Sequence, residues 1–549
     1  LVETIHGRIR GAESAGIHVF RGIRYAAAPV GPRRFLPPAP VEPWPGTIDA
    51  LRPGDAPPQR SLPLLGSLNA AGGRVGEDCL ALNVWTPGID GARRPVLVWI
   101  HGGGFLIGSG STPIYDGERL ARHGDLVVVT IHYRLGVLGY LHLGTLCGED
   151  LARSTNLGVR DQIAALEWVR DNIERFGGDP GNVTVFGQSA GAMSVGALLG
   201  APRARALFHR AICQSGAAEH VIGASDARLT ARVFIEALGG PPTTAEALGR
   251  IALDRILRAQ TETVRRLAGW RNLMVLLPVV DGDVIPEPPI DAIRRGAARD
   301  IPLLVGTTLD EWKLFHLFQD GWFPLSESTL VSRLAEALGG ELPGAPAPGI
   351  ALRELREALG ARSRHTGPAD LWNAFQSARV FHHPAARLAE AQEAGGGDAY
   401  TYLFTWRAPG LRRRLGACHS IDIPFVFGST QHPLARPLTG LSSQAADLSR
   451  TMQRAWTSFA RTGAPVDGSL PAWEPYGGSR RRTMILGRRC ALEEAPLEAE
   501  RLLLERWHRP SPPQQEHRTR HPAAELARSL PDESARAPAP ARASRRRTG

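Results

Sequence analysis

The stretch Asn182-Val183-Thr184-Val185-Phe186-Gly187-Gln188-Ser189-Ala190-Gly191 decides how this chain folds. Its first half is an apolar, β-branched run suited to a buried strand. The residues that follow, 192–199, are small and apolar and read as a helix. Between strand and helix stand five residues with a glycine at each end. A turn that tight leaves no room for side chains at 187 and 191 and puts the central serine into strained dihedrals. The strain holds Ser189 Oγ proud of the sheet, where an electrophile and a histidine can both reach it. In a chain with 61 glycines the five-residue pattern alone says little. The strand before it and the helix after it give it weight, and the rest of the chain must supply a base, an acid and oxyanion donors.

Outward from this turn, strands alternate with helices. Apolar runs suited to buried parallel strands occur at 95–100, 126–131, 183–186, 211–213, 301–305 and 399–404. Between the second and third, residues 161–176 carry apolar side chains at 163, 166, 169, 173 and 176, the spacing of a helix with one face on a sheet. Gly177-Gly178-Asp179-Pro180 then ends it, with glycine as the C-cap and proline barring continuation. Strand–helix–strand order implies right-handed crossovers and a doubly wound, mostly parallel α/β sheet. Residues 220–275 and 312–395 read as helix-rich insertions.

Composition narrows the class. Of 549 residues, 43% are hydrophobic and 21% charged, ordinary for a globular enzyme with a large core. No run approaches 18 uninterrupted apolar residues, so no membrane span is expected. The first ten residues carry Glu3, His6, Arg8 and Arg10 and no apolar core, so no secretory leader is expected, although the chain begins with Leu. The net charge of +10 invites a nucleic-acid reading. Lys313 is the only lysine beside 63 arginines, which reads as the coding bias of a GC-rich genome. Residues 510–549 hold eight arginines and four acids and so supply +4 of the +10. This Pro-, Ala- and Arg-rich stretch cannot bury a core, and 508–549 is expected to be a disordered tail behind a domain spanning 1–507. No nucleic-acid or membrane partner is expected. Cysteines 79, 147, 213, 418 and 490 are too few and too scattered for a disulfide framework. No pair or His/Cys cluster has metal-ligand spacing, and His382-His383, adjacent in sequence, point different ways. Neither metal nor cofactor is expected, and a reducing, cytoplasmic setting with a monomeric protein is.

A second constellation is His101-Gly102-Gly103-Gly104-Phe105, directly after the run ending at Ile100. Successive glycines leave backbone N–H groups bare, and bare N–H groups can converge on a developing oxyanion. A phosphate loop is the rival, but no Gly-Lys-Ser/Thr follows and no G-x-G-x-x-G opens a helix. A structural glycine turn is the third reading. Paired with the serine turn downstream, the oxyanion reading gains, because α/β-hydrolases draw donors from such a loop and from the residue after the nucleophile. The donors here would be Gly103, Gly104 and Ala190.

Several further motifs stand in order: Phe20-Arg21-Gly22-Ile23-Arg24-Tyr25-Ala26, Pro29-Val30-Gly31, Glu77-Asp78-Cys79-Leu80-Ala81-Leu82-Asn83-Val84-Trp85 and Tyr133-Arg134-Leu135-Gly136. Together with the glycine loop and the serine turn they resemble the type-B carboxylesterase family, which holds bacterial para-nitrobenzyl-type esterases and the cholinesterases. The resemblance spans about residues 2–507. It implies an α/β-hydrolase fold, a mostly parallel central sheet flanked by helices, with helical insertions around the active site. It also implies a small-molecule ester substrate, hydrolysed through a Ser-His-Glu triad and an acyl-enzyme.

The remaining triad members follow from chain order, serine then acid then histidine. Gly306-Thr307-Thr308-Leu309-Asp310-Glu311 is similar to the family's G-x-x-x-D-E segment, which points to Glu311, with Asp310 the competitor inside the motif. His419 stands in Cys418-His419-Ser420-Ile421-Asp422-Ile423-Pro424-Phe425-Val426-Phe427, which resembles the family's H-x-x-E-L-P-F-V-F with Asp422 in place of glutamate. His101 and His132 read as loop-packing residues. Trp312, Phe315 and Phe318 either wall the acyl pocket or form an ordinary buried helix face. Extracellular members bridge the cysteine matching Cys79 to one in the segment corresponding to Ala56-Pro57-Pro58-Gln59, where this chain has proline. Two other readings are weighed: a catalytically silent binding relative, which would need a broken triad, and a basic nucleic-acid binder, which rests on arginine content alone.

Overall fold

The computed structural model describes residues 1–60, 73–144, 146–240, 244–269, 273–320, 324–339, 342–360 and 365–508. One sheet organises them. In chain order its strands are β1 (Ala12–Ser14), β2 (Ile17–Arg24), β3 (Ala81–Thr86), β4 (Arg94–Ile100), β5 (Val127–Ile131) and β6 (Gly178–Gln188). They continue as β7 (Arg210–Gln214), β8 (Leu303–Thr308), β9 (Ala399–Phe404), β10 (Arg482–Leu486) and β11 (Ala491–Glu494). Side by side the order is 1-2-3-5-4-6-7-8-9-10-11. From β5 through β10 every pairing is parallel. The pairings at both ends of the sheet are antiparallel.

The six apolar runs all become parallel strands, because a strand covered on both faces must be apolar throughout. Alternate residues of one strand feed two cores. Val96, Val98 and Ile100 of β4 join one, with Val183 and Val185 of β6 and Val159, Leu166 and Val169 of helix α1 (Leu157–Asn172). Leu97 and Trp99 join the other, where Met452, Trp456 and Phe459 of a C-terminal helix, Ser443–Thr462, cover the sheet. The antiparallel strands were not legible as apolar runs. β2, for example, is buried on only part of its length and reads as a mixed segment.

The helix expected over 161–176 is α1 followed by a 3₁₀ turn, Ile173–Phe176, and Gly177 closes it in the left-handed region at φ 76°. Gly178, Asp179 and Pro180, read as part of the stop, instead begin β6. The expected insertions are helical, with Ala224–Ala237 and Leu253–Leu267 in the first and, among the described residues, five α-helices from Trp312 to Ala394 in the second. No helix among the described residues is long and apolar enough to cross a membrane. The tail expected over 508–549 lies, from residue 509 on, outside the described residues.

Candidate active site

The chain reverses its winding direction at β4, with β5 on one side and β6 on the other. Loops leaving the carboxyl ends of parallel strands diverge at such a point and open a crevice. Ile100 of β4 pairs with Gly187 of β6, so the glycine loop and the serine turn leave the sheet side by side. Ser189 takes φ 57° and ψ −128°, and helix α2 (Ala190–Leu199) begins at the next residue. Its N–H donates to the Gln214 carbonyl of β7 at 2.8 Å, which anchors the strained residue. The glycines are required by contact. A Cβ at 191 would lie 2.0 Å from the Ile100 oxygen, and one at 187 would lie 2.5 Å from the Gly191 carbonyl carbon. Gly102 has the same need, since its Cβ would meet the Gln188 oxygen at 2.6 Å.

The glycine loop is pinned through its carbonyls. Leu106 and Ile107 both donate to the Gly103 oxygen at 3.1 Å, and Gly136 donates to the Phe105 oxygen at 2.6 Å. Gly103 sits at φ 116°, and Gly104 and Phe105 at 61°. Among the described residues no acceptor engages the N–H groups of Gly103, Gly104 or Ala190. Ala190 is the first residue of α2, where backbone N–H groups have no intrahelical partner. Three bare donors around one serine are suited to an anionic oxygen.

His132 braces this loop through Ser109 Oγ at 3.2 Å and Ser111 Oγ at 3.0 Å. His101 stacks on Tyr133 with ring centroids 4.5 Å apart. Burial pushes His101 down to about 3 and His132 down to about 4, so both are neutral packing residues. His382 binds the Thr308 carbonyl at 2.9 Å, and His383 stacks on His508.

Glu311 and His419 come from loops after β8 and β9. His419 Nδ1 lies 2.5 Å from Glu311 Oε2, and both side chains are buried. Glu311 Oε1 accepts the Thr308 N–H at 2.7 Å. Burial acts to raise the Glu311 carboxyl, but His419, Ser215 and the Thr308 N–H outweigh it and hold it below its ordinary range. A carboxylate at Nδ1 leaves Nε2 as the nitrogen free to accept a proton. Asp310 turns elsewhere. It pairs with Lys313 at 2.8 Å and accepts the Ala417 N–H at 2.9 Å, which ties the acid loop to the histidine loop.

Ser189 and His419 line one cavity, but no hydrogen bond joins them among the described residues. Catalytic contacts are commonly loose without substrate and tighten in the complex. The Gln188 amide nitrogen lies 3.0 Å from His419 Nε2 and 3.4 Å from Nδ1. An atom in line with the Nε2 lone pair would be far from Nδ1, so the amide sits over the ring face and leaves that lone pair open. Phe315 and Phe381 also contact the imidazole, with centroids 5.0 and 4.8 Å away. Phe381 and the side chain of Gln188 escaped the sequence reading. No pattern flags a lone phenylalanine in a helical insertion, and Gln188 drew notice only as a motif filler.

The cavity holds about 260 Å³. Trp312, Phe315 and Phe318 of helix α3 (Trp312–Asp320) all line it, so the two readings of that helix face merge: it is buried, and what it is buried against is the pocket. Leu106, Ile107, Met193, Leu273 and Phe381 add apolar wall. Among the described lining residues there is no Asp, Glu, Lys or Arg. All five cysteines are free, Cys79 among them.

The model of the carboxylesterase family matches residues 1–501. The chain is 38% identical over 500 residues to the para-nitrobenzyl esterase of Bacillus subtilis, covering 90% of this chain and 96% of that protein. It is 34% identical to a phenmedipham hydrolase of Pseudarthrobacter oxydans, covering 89% and 95%. A crystal structure of a Geobacillus stearothermophilus carboxylesterase superposes with a TM-score of 0.81 at 41% identity, covering 92% of this chain and 99% of that one. Ser-His-Glu chemistry is this family's mechanism, and neither a silent binding role nor nucleic-acid binding is favoured. The chain belongs to the carboxylesterase family and is a serine carboxylesterase of the α/β-hydrolase fold that hydrolyses small-molecule carboxylic esters.

Proposed function

We propose that Ser189 is the nucleophile, His419 the general base and Glu311 the acid, with the N–H groups of Gly103, Gly104 and Ala190 as the oxyanion hole. The observation that carries this reading is the buried His419–Glu311 contact of 2.5 Å beside a cavity that Ser189 also lines. Ser189 Oγ attacks the ester carbonyl as His419 Nε2 takes its proton, and Glu311 stabilises the imidazolium. Negative charge gathers on the carbonyl oxygen and meets the bare donors. His419 then protonates the departing alcohol, and water cleaves the acyl-enzyme by the same steps. Ser189→Ala should fold normally, resist labelling by a fluorophosphonate and lose roughly 10⁴- to 10⁶-fold in kcat. An active or stoichiometrically labelled Ser189→Ala enzyme would sink the assignment.

The uncharged cavity wall supports a finer reading of the substrate. An isolated charge moved from water into such a wall costs several kcal/mol. The preferred esters are therefore uncharged and apolar on both the acyl and the alcohol side. A neutral aryl ester should exceed an analogue carrying a carboxylate by at least about 100-fold in kcat/KM, equivalent to about 2.7 kcal/mol. Equal rates on the two would refute it. Residues 1–507 are proposed as one catalytic domain followed by a tail, but His508 still ends the helix Glu498–His508 and stacks on His383, so it belongs with the domain. A cytoplasmic monomer is the accompanying proposal, supported for its compartment by five unbridged cysteines.

A further inference from the structure

Asp422 lies on the histidine loop, three residues beyond His419, and is fully buried. Its Oδ2 accepts from Gln214 Nε2 at 2.9 Å and from the Tyr402 hydroxyl at 3.1 Å. Its Oδ1 has no hydrogen-bond partner among the described residues. Gln214 is also the residue whose main-chain carbonyl holds the Ser189 N–H, and its side-chain oxygen accepts from Trp456 Nε1 at 3.3 Å. Tyr402 reaches Asp422 past Gly306, where a Cβ would lie 2.2 Å from the tyrosine ring. One carboxylate thus ties the loop of the base to the strand that anchors the nucleophile.

The titratable groups around Asp422 are few. Tyr402 comes from β9, Cys213 from β7, Glu311 from the loop after β8, and His419 and Cys418 from its own loop. Burial pushes the ionisation of Tyr402 and of both thiols up, so these stay neutral. Glu311 and His419 remain as the groups whose charge Asp422 feels. Burial, with Glu311 adding to it against the donors Gln214 and Tyr402 and against His419, pushes Asp422 up to about 6. Glu311, equally buried, is held low. Two neighbouring carboxyls whose environments drive them apart divide the work of a site.

We propose that Asp422 is a positioning residue of the reaction, a second carboxylate that ties the His419 loop to the nucleophile turn through Gln214 and favours the cationic form of His419 during acyl transfer. The proposal rests on the assignment of Ser189 and His419. The physical step is simple: His419 becomes positive each time it takes the serine proton, and a negative charge in the same dry region lowers the cost. As pH falls through the titration of Asp422, that help is lost.

The test is kcat/KM against pH on para-nitrophenyl butyrate for the parent, Asp422→Asn and Tyr402→Phe. Asp422→Asn should lower the plateau about tenfold, one pKa unit's worth of imidazolium stabilisation, and move the acid limb to lower pH. Tyr402→Phe removes a donor from ionised Asp422, so Asp422 holds its proton to higher pH and the limb should move up. Opposite displacements are what a merely structural role would not produce. An unmoved limb in either variant, or displacements of the same sign, overturns the proposal. Folding has its own sign. An acid whose pKa is raised in the folded state weakens the fold as pH rises from its ordinary value of about 4 up to about 6. Asp422→Asn should therefore melt at or above the parent at pH 8 and lose that advantage only below about pH 4. Should it fail to fold, Tyr402→Phe decides alone. Failure of the underlying assignment reads differently, as activity or phosphonate labelling that survives Ser189→Ala.

Discussion

The nucleophile half of the site and its acid–base half are built by different physics. The first is backbone: Gly102–Gly104 and Gly187–Gly191 meet at the ends of two paired strands, and a Cβ at 102, 103, 187 or 191 would collide with a main-chain carbonyl 2.0–2.6 Å away. The second is side chain: Glu311 and His419 are 108 residues apart in sequence and meet through one 2.5 Å contact held by burial and by Phe315 and Phe381. Local sterics leave a short, dense signature in the sequence. Packing of distant side chains leaves single residues that look like any others. In the backbone half the serine's strain is held by Gln214 and by the close approach of β4.

The contrast can be broken by mutation. After Ser189→Ala, the largest effect is expected from Glu311→Gln, which keeps shape but loses the charge that orients His419. We expect about a 10⁴-fold loss in kcat with little change in melting temperature. A loss of less than tenfold would mean that Glu311 is not the acid. Gly191→Ala should act through the fold instead. Its Cβ would press 2.0 Å from the Ile100 oxygen, and the enzyme should lose about 3–5 kcal/mol in denaturant unfolding together with its activity. Gly104→Ala is the mild member of the same half. Nothing stands within 4 Å of its Cβ, but φ of +61° disfavours a side chain, so about 1–2 kcal/mol should be lost and the protein should still fold. Equal damage from the two glycine substitutions would show that backbone dihedral, not close approach, limits this half.

Much of the site was legible in the sequence. The serine turn, the glycine loop and six of the seven parallel strands announce themselves because each satisfies a local constraint: a turn with no room for Cβ, bare N–H groups, or a strand apolar on both faces. Glu311 and His419 were reachable from chain order and motif resemblance. The choice of Glu311 over Asp310 rested on the resemblance alone, since adjacent carboxylates in one loop have the same chemistry. In the fold, Asp310 is turned to Lys313 and Ala417 while Glu311 meets the imidazole. Pro180, read as a helix stop, proved to lie in a strand start, where a missing N–H costs nothing.

By itself, then, the sequence determined where the chain must turn and which residue types converge there, because glycine tolerances and apolar periodicity are local properties. Tertiary structure alone decided the rest. It set Gln188 over the face of His419, made the Trp312–Phe318 helix face into a pocket wall, and left the described cavity lining without an Asp, Glu, Lys or Arg. It also brought Asp422 to Gln214 and so to the nucleophile turn. These are contacts between segments up to hundreds of residues apart, and only the packed sheet brings them within reach.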